Sequence, residues 1–299
     1  MQLSLPELSY THKSITEFEP AIRNDGRSID QLRPLSGQVD VLPGTNGSAR
    51  VKWASSVEIV IGVKAEVGDA TPEGGKYVAS VEISPSVSIQ NRETDEIPSF
   101  LTSALQDLLN ALAVDYLKFT PSKAWIIHVD AVVILSSSPY ENILSALSLA
   151  AYLALQTTRL PKISTPNVTD ITIGSTKYEP SEEYDVDSEW ENALPLQGLE
   201  LMSVIILVSS IDQVIIVDPT IEESSVAQVT YAIGVQASGA ISYTRVVGTG
   251  GGYASTGRAI TVERYIELLE TASTVGTKLL NASSDILSFK GLGFFDILP

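Results

Sequence analysis

The stretch Trp125-Ile126-Ile127-His128-Val129-Asp130-Ala131-Val132-Val133-Ile134 is nearly continuous apolar sequence dominated by β-branched side chains. Such a run predicts a central strand covered on both faces. A strand of that kind needs further layers packed against its sheet, so an α+β architecture is expected. The flanking segments agree. Apolar alternation over residues 48–53 and 57–65, repeated from 76 to 88, predicts an antiparallel sheet built early in the chain. After Pro98, the residues Phe100, Leu101, Ala104, Leu105, Leu108, Leu109 and Leu112 recur at three- and four-residue spacing, which makes one apolar helix face. Pro139 opens a second helix over about 140–158, which ends before Pro161.

Residues 178–191 carry seven acids and little that could fill a core, so they read as a solvated insertion or link. Beyond them come strand-like runs at 201–208, 214–217, 226–236 and 241–247, then a helix over about 262–280. The second part echoes the first, which predicts two related halves. Residues 1–30 form an N-terminal extension with an arginine-rich turn, 31–165 the first half, 166–194 the acidic link, and 195–299 the second half with its C-terminal helix.

A chain of 299 residues with 44% apolar content can bury a sizeable core. Its formal charge of -17 argues against a protein that wraps nucleic acid by its own field. Lys13, Arg23, Arg27, Arg33, Arg50, Lys52 and Lys64 nevertheless crowd the front of the chain, so a basic patch on an acidic body is expected there. The absence of cysteine excludes disulfides and thiolate chemistry and suits an intracellular setting. The opening residues lack the pattern of a signal peptide and read as a mature start. The apolar stretch 142–155 is shorter than the roughly 20 residues a bilayer requires, so no membrane span is expected.

Two clusters stand out as sites. Asp218-Pro219-Thr220-Ile221-Glu222-Glu223-Ser224 follows the apolar Val214-Ile215-Ile216-Val217, which places acids where a buried strand emerges. No nucleophile, metal ligand set or phosphate clamp surrounds it, so chemistry and a contact in an assembly both remain open. In Arg23-Asn24-Asp25-Gly26-Arg27, Gly26 permits a turn while the guanidiniums suit forked contacts to carboxylate or phosphate. A structural salt-bridge turn and an RNA-backbone contact are both compatible with it. Arg92 is a further candidate, although Glu93, Asp95 and Glu96 lower its appeal to phosphate.

The remaining motifs are weaker. His128 reads as a packed core histidine with Asp130 on the same strand face, and no serine elbow completes a triad. His12 lies in a lead expected to be mobile. Two histidines cannot supply a three-imidazole site, and neither metal nor cofactor is expected. The loop from Gly248 to Gly252 lacks the Gly-Lys-Ser/Thr continuation of a P-loop and reads as a turn between strand and helix.

Together these residues carry a family likeness: the chain resembles the RNase PH-like subunits of the exosome core, most closely the non-catalytic ring class. The likeness rests on Arg23-Asn24-Asp25-Gly26-Arg27, on Gly47-Ser48-Ala49 with Gly62-Val63-Lys64-Ala65-Glu66-Val67, on residues 125–134, and on Asp218-Pro219-Thr220-Ile221-Glu222-Glu223. It spans about residues 15–280 in the right order. The resemblance implies an RNase PH-like fold with two related βαβα halves and a place in a hetero-hexameric ring of RNase PH-like exosome subunits. It further implies S1/KH-type cap subunits, an associated hydrolytic ribonuclease and single-stranded RNA as partners, in nucleus, nucleolus and cytoplasm.

Active members of the family attack an RNA phosphodiester with inorganic phosphate. Where they carry an Asp-x-Asp pair and another acid farther on, this chain has Asp218, Thr220 and Ser224. The glycine-rich stretch before Arg258 also lacks their phosphate-gripping arrangement. The expectation is therefore an inactive scaffold with no catalytic residue, a degenerate site at Asp218, Thr220 and Ser224, and RNA-backbone contacts from Arg23, Arg27 and Arg92. The alternatives are an active phosphate-dependent 3′-to-5′ exoribonuclease and a small-molecule kinase of similar α+β build.

Overall fold

The computed structural model describes residues 3–85, 87, 96–136, 140–164, 183–187, 189–249, 260–288 and 295–297. Helix α1 (Leu5–Thr16) comes first, followed by β1 (Leu35–Val39), β2 (Gly47–Trp53), β3 (Val57–Asp69), β4 (Lys76–Ile83), α2 (Glu96–Leu109) and β5 (Lys123–Ser136). These strands, with β14 (Phe295–Ile297) from the far end of the chain, make a six-stranded sheet ordered β14-β1-β2-β3-β5-β4. All neighbours are antiparallel except β4 and β5, and α2 is the crossover that a parallel pair requires.

The inner face of this sheet is supplied by alternate residues, Ile59, Ile61 and Val63 of β3 and Ile127, Val129 and Val133 of β5, all buried. Residues 124–127 are buried without a break, but from His128 onward the strand alternates, with Asp130, Val132 and Ile134 turned outward. Double coverage thus holds only for the first part of β5. The β-branched run reports strand propensity, which a half-solvated strand shares. His128 is correspondingly no core residue: it is half-buried on the outer face, with Nε2 2.9 Å from Glu66 Oε1.

Helix α3 (Tyr140–Thr157) lies between this sheet and a second one, touching β2 and β3 on one side and β10 (Ser203–Ile211) on the other. The serines that interrupt its apolar surface explain themselves there. The Ser148 hydroxyl donates to the Ser145 carbonyl at 3.0 Å and accepts from the Ile205 amide at 2.8 Å, tying the helix to β10. Two short strand pairs follow α3, β6 (Arg159–Leu160) with β9 (Leu194–Pro195) and β7 (Ile163–Ser164) with β8 (Asp185–Val186). The acidic stretch is tethered through the second pair and through Tyr184, whose ring meets Phe119 edge-on at 5.2 Å. Residues 178–182 and 188 lie outside the described residues.

The second sheet adds β11 (Val214–Val217), β12 (Val229–Gln236) and β13 (Ile241–Thr249) to β10 in the order β11-β10-β12-β13, all antiparallel. Helix α4 (Ile221–Val226) follows β11, and α5 (Val262–Ser288) packs on β10 and β12. Gly276 lets α5 approach that closely, since a Cβ there would fall 2.7 Å from Cβ of Val235. Every residue of β10 is buried, as a strand between α3, α5 and its neighbours must be. No described helix is long and apolar enough to cross a membrane.

The lead expected to be mobile is instead α1. Pro6 occupies its first turn, and the Glu7 carboxylate accepts from the Ser4 amide at 2.7 Å and the Ser4 hydroxyl at 2.8 Å. Ile15 anchors the helix in a small second core with Ile211, Ile216, Val226 and Ala227. His12 Nε2 lies 3.0 Å from Asp212 Oδ2. The Ser-x-x-Glu spacing after Gln2 was the signal for this helix in the sequence.

Candidate functional site

The two sequence clusters meet in space. At the end of β11 the backbone of Asp218 turns into the left-handed region (φ 50°), which sends its carboxylate inward rather than toward solvent. Asp218 is 1% exposed. Arg33 grips it in a fork, Nη2 to Oδ1 at 2.5 Å and Nε to Oδ2 at 2.9 Å, while the Arg33 backbone amide adds a bond of 2.8 Å to Oδ2. Arg27 Nη1 and the indole Nε1 of Trp53 also donate to Oδ2, at 3.3 and 3.2 Å. Both carboxylate oxygens are therefore engaged by protein donors.

Arg23 is 2% exposed and makes a second fork, Nε to Glu223 Oε1 at 2.8 Å and Nη2 to Glu223 Oε2 at 2.7 Å. Its Nη1 donates to the carbonyls of Ser28 and Val217 at 3.1 and 3.0 Å, and its Nη2 also to the carbonyl of Asp218 at 3.1 Å. A guanidinium carries five N–H donors, and all of those on Arg23 are used inside the protein. Arg27 is similarly committed, to Asp25 Oδ2 at 2.6 Å, the Gln31 carbonyl at 2.9 Å and the Asp218 carbonyl at 3.0 Å. Gly26 supplies the turn between them with φ 76°. The arginine-rich turn is thus the structural salt-bridge turn, and Arg23 and Arg27 are corrected from RNA-backbone contacts to internal counter-ions.

Charge balances inside this cluster: Arg23, Arg27 and Arg33 face Asp25, Asp218 and Glu223. Burial alone would raise the Asp218 carboxyl, but the hydrogen bonds and charge of Arg33, with the charge of Arg27, outweigh it and hold the group below the ordinary carboxylate range. The basic patch expected at the front of the chain dissolves for the same reason. Three of its arginines are consumed in the cluster, and Arg50 and Lys52 both reach Glu58.

Thr220 and Ser224 sit on the start of α4, both half-buried. Thr220 is the N-cap: its hydroxyl accepts from the Glu223 amide at 3.3 Å while the Glu223 carboxylate accepts from the Thr220 amide at 2.8 Å. Glu223 therefore serves the helix and Arg23 at once. Thr220→Ala is expected to cost about 1 kcal/mol of stability, measurable as a lowered urea midpoint, a loss typical of a deleted cap. Among the described residues no group of three histidines and acids is placed to hold a metal ion. Arg92, Arg258 and residues 250–252 of the glycine-rich loop lie outside the described residues.

The sequence puts Arg33 in a basic patch, Glu223 in the acidic cluster and Trp53 in a strand, and does not bring the three together with Asp218 and Arg23. Only Glu223 left a local trace, as the acid three residues after Thr220. Arg33 and Trp53 find Asp218 across separations of 185 and 165 residues, for which no periodicity gives a sign.

Residues 31–161 match the profile of the 3′ exoribonuclease family, domain 1. The exosome complex component Rrp42 of Sulfurisphaera tokodaii is 30% identical over 224 residues, covering 72% of this chain and 74% of that protein. The exosome complex component RRP42 of Saccharomyces cerevisiae is 33% identical over 166 residues, 54% of this chain, and the match spans 59% of the yeast protein's length. A chain of the Archaeoglobus fulgidus exosome, solved with RNA bound to the active site, shares the fold at a TM-score of 0.64 and 22% identity, with 92% of this chain and 97% of that one covered. The chain belongs to the RNase PH-like family of exosome complex components, on its Rrp42 branch.

Proposed function

We propose that this chain is a non-catalytic structural subunit of a hexameric RNase PH-like exosome ring, which supports 3′-to-5′ RNA processing and decay by passing RNA to an associated hydrolytic ribonuclease. Its partners are the other RNase PH-like subunits of the ring, S1/KH-type cap subunits and single-stranded RNA, in nucleus, nucleolus and cytoplasm. Family membership supports the ring, and one observation supports the inactivity: Asp218 is buried with both carboxylate oxygens occupied. Phosphorolysis needs a group to manage a proton and cations to hold phosphate as charge develops. Asp218 could take a proton only by stranding Arg27 and Arg33 in the interior, and those guanidiniums are already spent on it. Thr220 and Ser224 bring no acid to the place. Of the three arginines expected on the RNA path, Arg92 is the one that stays in the proposal.

The test is native mass spectrometry of the chain coexpressed with its RNase PH-like relatives, followed by incubation of the assembly with RNA and inorganic phosphate. One copy per hexamer is expected. With the catalytic acids of the other subunits replaced, no nucleoside diphosphate should be released. A stable monomer or closed homo-oligomer would overturn the ring; diphosphate release from that disabled assembly would overturn the inactivity.

A further inference from the structure

A groove of about 690 Å³ runs between the segment after α1, the edge strand β11 and the first turns of α5. Its floor is Val214 and Ile215, and one wall is formed by Phe18 and Ile29, which remain 53% and 42% exposed. The other wall holds Arg264. One nitrogen of that guanidinium, Nη1, donates to Glu267 at 2.5 Å, but Nε and Nη2 are shielded from solvent and have no hydrogen-bond partner among the described residues. Hidden donors without acceptors are costly and uncommon in folded proteins. Because they are shielded, an acceptor from outside reaches them only when the guanidinium turns toward the groove.

The strand at the floor is equally incomplete. Asp218 sends its amide to Leu207 on β10, whereas the Val217 amide points the other way and bonds to the Ile29 carbonyl at 2.8 Å. Backbone direction alternates along a strand, so the amide and carbonyl of Ile215 point to the same side as those of Val217, which are taken by Ile29 and Arg23. Beyond the place held by Ile29, Ile215 is the residue of β11 whose backbone faces away from β10 and can pair with an added extended segment. The rim selects its charge. Glu19, Asp30, Glu267 and Glu270 line the groove and are all exposed, against one lining cation, Arg264, which is paired with Glu267, and Lys278, whose charge reaches Asp30. Phosphate and nucleic acid are repelled by such a rim, and lysine or arginine side chains are attracted.

We propose that this groove docks an extended, basic peptide segment of a partner protein. Its backbone pairs with Ile215 on the edge of β11 and presents a carbonyl to Arg264, whose guanidinium turns into the groove to meet it. Its apolar side chains cover Phe18 and Ile29, and its basic side chains meet Asp30 and Glu270. The inference rests on the groove alone and does not depend on ring assembly.

The test is fluorescence anisotropy of the full-length chain with a labelled peptide alternating Lys/Arg with Ile/Val, beside the same peptide with Glu in place of each base and a labelled oligouridine. The basic peptide is expected to bind with an affinity that falls as salt is raised. Asp30→Lys with Glu270→Lys should weaken it roughly tenfold at unchanged circular dichroism. Glu73→Lys with Glu82→Lys, exposed acids in the turn before β4 and on β4 of the other sheet, should leave it unaltered. Arg264→Ala should weaken it as well. Equal binding of the acidic peptide, preference for oligouridine, or equal loss from both pairs of charge reversals would overturn the proposal, the last by showing attraction to net charge only.

Discussion

Asp218→Ala is expected to destabilise the folded chain by about 3–5 kcal/mol, the range for breaking a buried ion pair from one side. The loss should appear as a lower urea midpoint at unchanged slope. What the alanine leaves behind sets the size of the effect. Arg33 and Arg27 would remain nearly buried without their shared carboxylate, and the Trp53 indole would lose its acceptor. The stabilisation also has a pH signature. The folded-state carboxyl of Asp218 lies below its unfolded value, so its contribution is complete above the unfolded pKa and is lost as pH falls through the folded one. The gap between the wild type and Asp218→Ala should therefore narrow in acid. A loss below about 1 kcal/mol at neutral pH, the scale of an ordinary surface pair, would show that Asp218 is not the clamp described here.

Arg23 and Glu223 should behave as a unit. Arg23→Ala and Glu223→Ala are each expected to cost about 3–5 kcal/mol, because each strands the other's charge in the interior. The double variant should cost less than their sum, with a coupling of up to about 3 kcal/mol. Replacing both by apolar residues of similar size, Arg23→Met with Glu223→Leu, should restore part of the loss, since a buried pair owes much of its apparent worth to the penalty of breaking it. That apolar variant also separates structure from RNA binding. Once folded and assembled, it should capture RNA as the wild type does, as read by anisotropy with a labelled oligonucleotide. Loss of capture in a folded ring would return Arg23 to the RNA path.

The elements that periodicity describes were legible before any coordinates. The leucine spacing of α2 and the alternation of β2 and β3 follow from one apolar face meeting one neighbour, and α3 is apolar nearly all round because it lies between two sheets. The α+β, RNase PH-like fold was legible from the order of several weak motifs. Legibility ended where a residue's meaning lay in its partner. Arg23-Asn24-Asp25-Gly26-Arg27 reads equally as a phosphate grip and as a salt-bridge turn until Glu223 is known to sit 200 residues away in sequence and 2.7 Å away in space. The same limit applies to β5, since sequence shows that Val132 and Ile134 suit a strand but not that they stay 39% and 38% exposed. Helix α1 was different. Its Ser4 and Glu7 pairing stood in the sequence and was passed over because the segment around it is polar.

The clasp of Arg23, Arg27 and Arg33 on Asp218 and Glu223 also dictates an order of events at the ribosome. The arginines are made first, with only Asp25 beside them, and Asp218 and Glu223 follow about 200 residues later. At synthesis rates of 5–20 residues per second the N-terminal segment waits roughly 10–40 s for them. Through that interval it can be held only by transient partners, because the loop it must close has no other end. The clasp is therefore a late event in folding, and its closure reports that the chain has been made at least as far as α4.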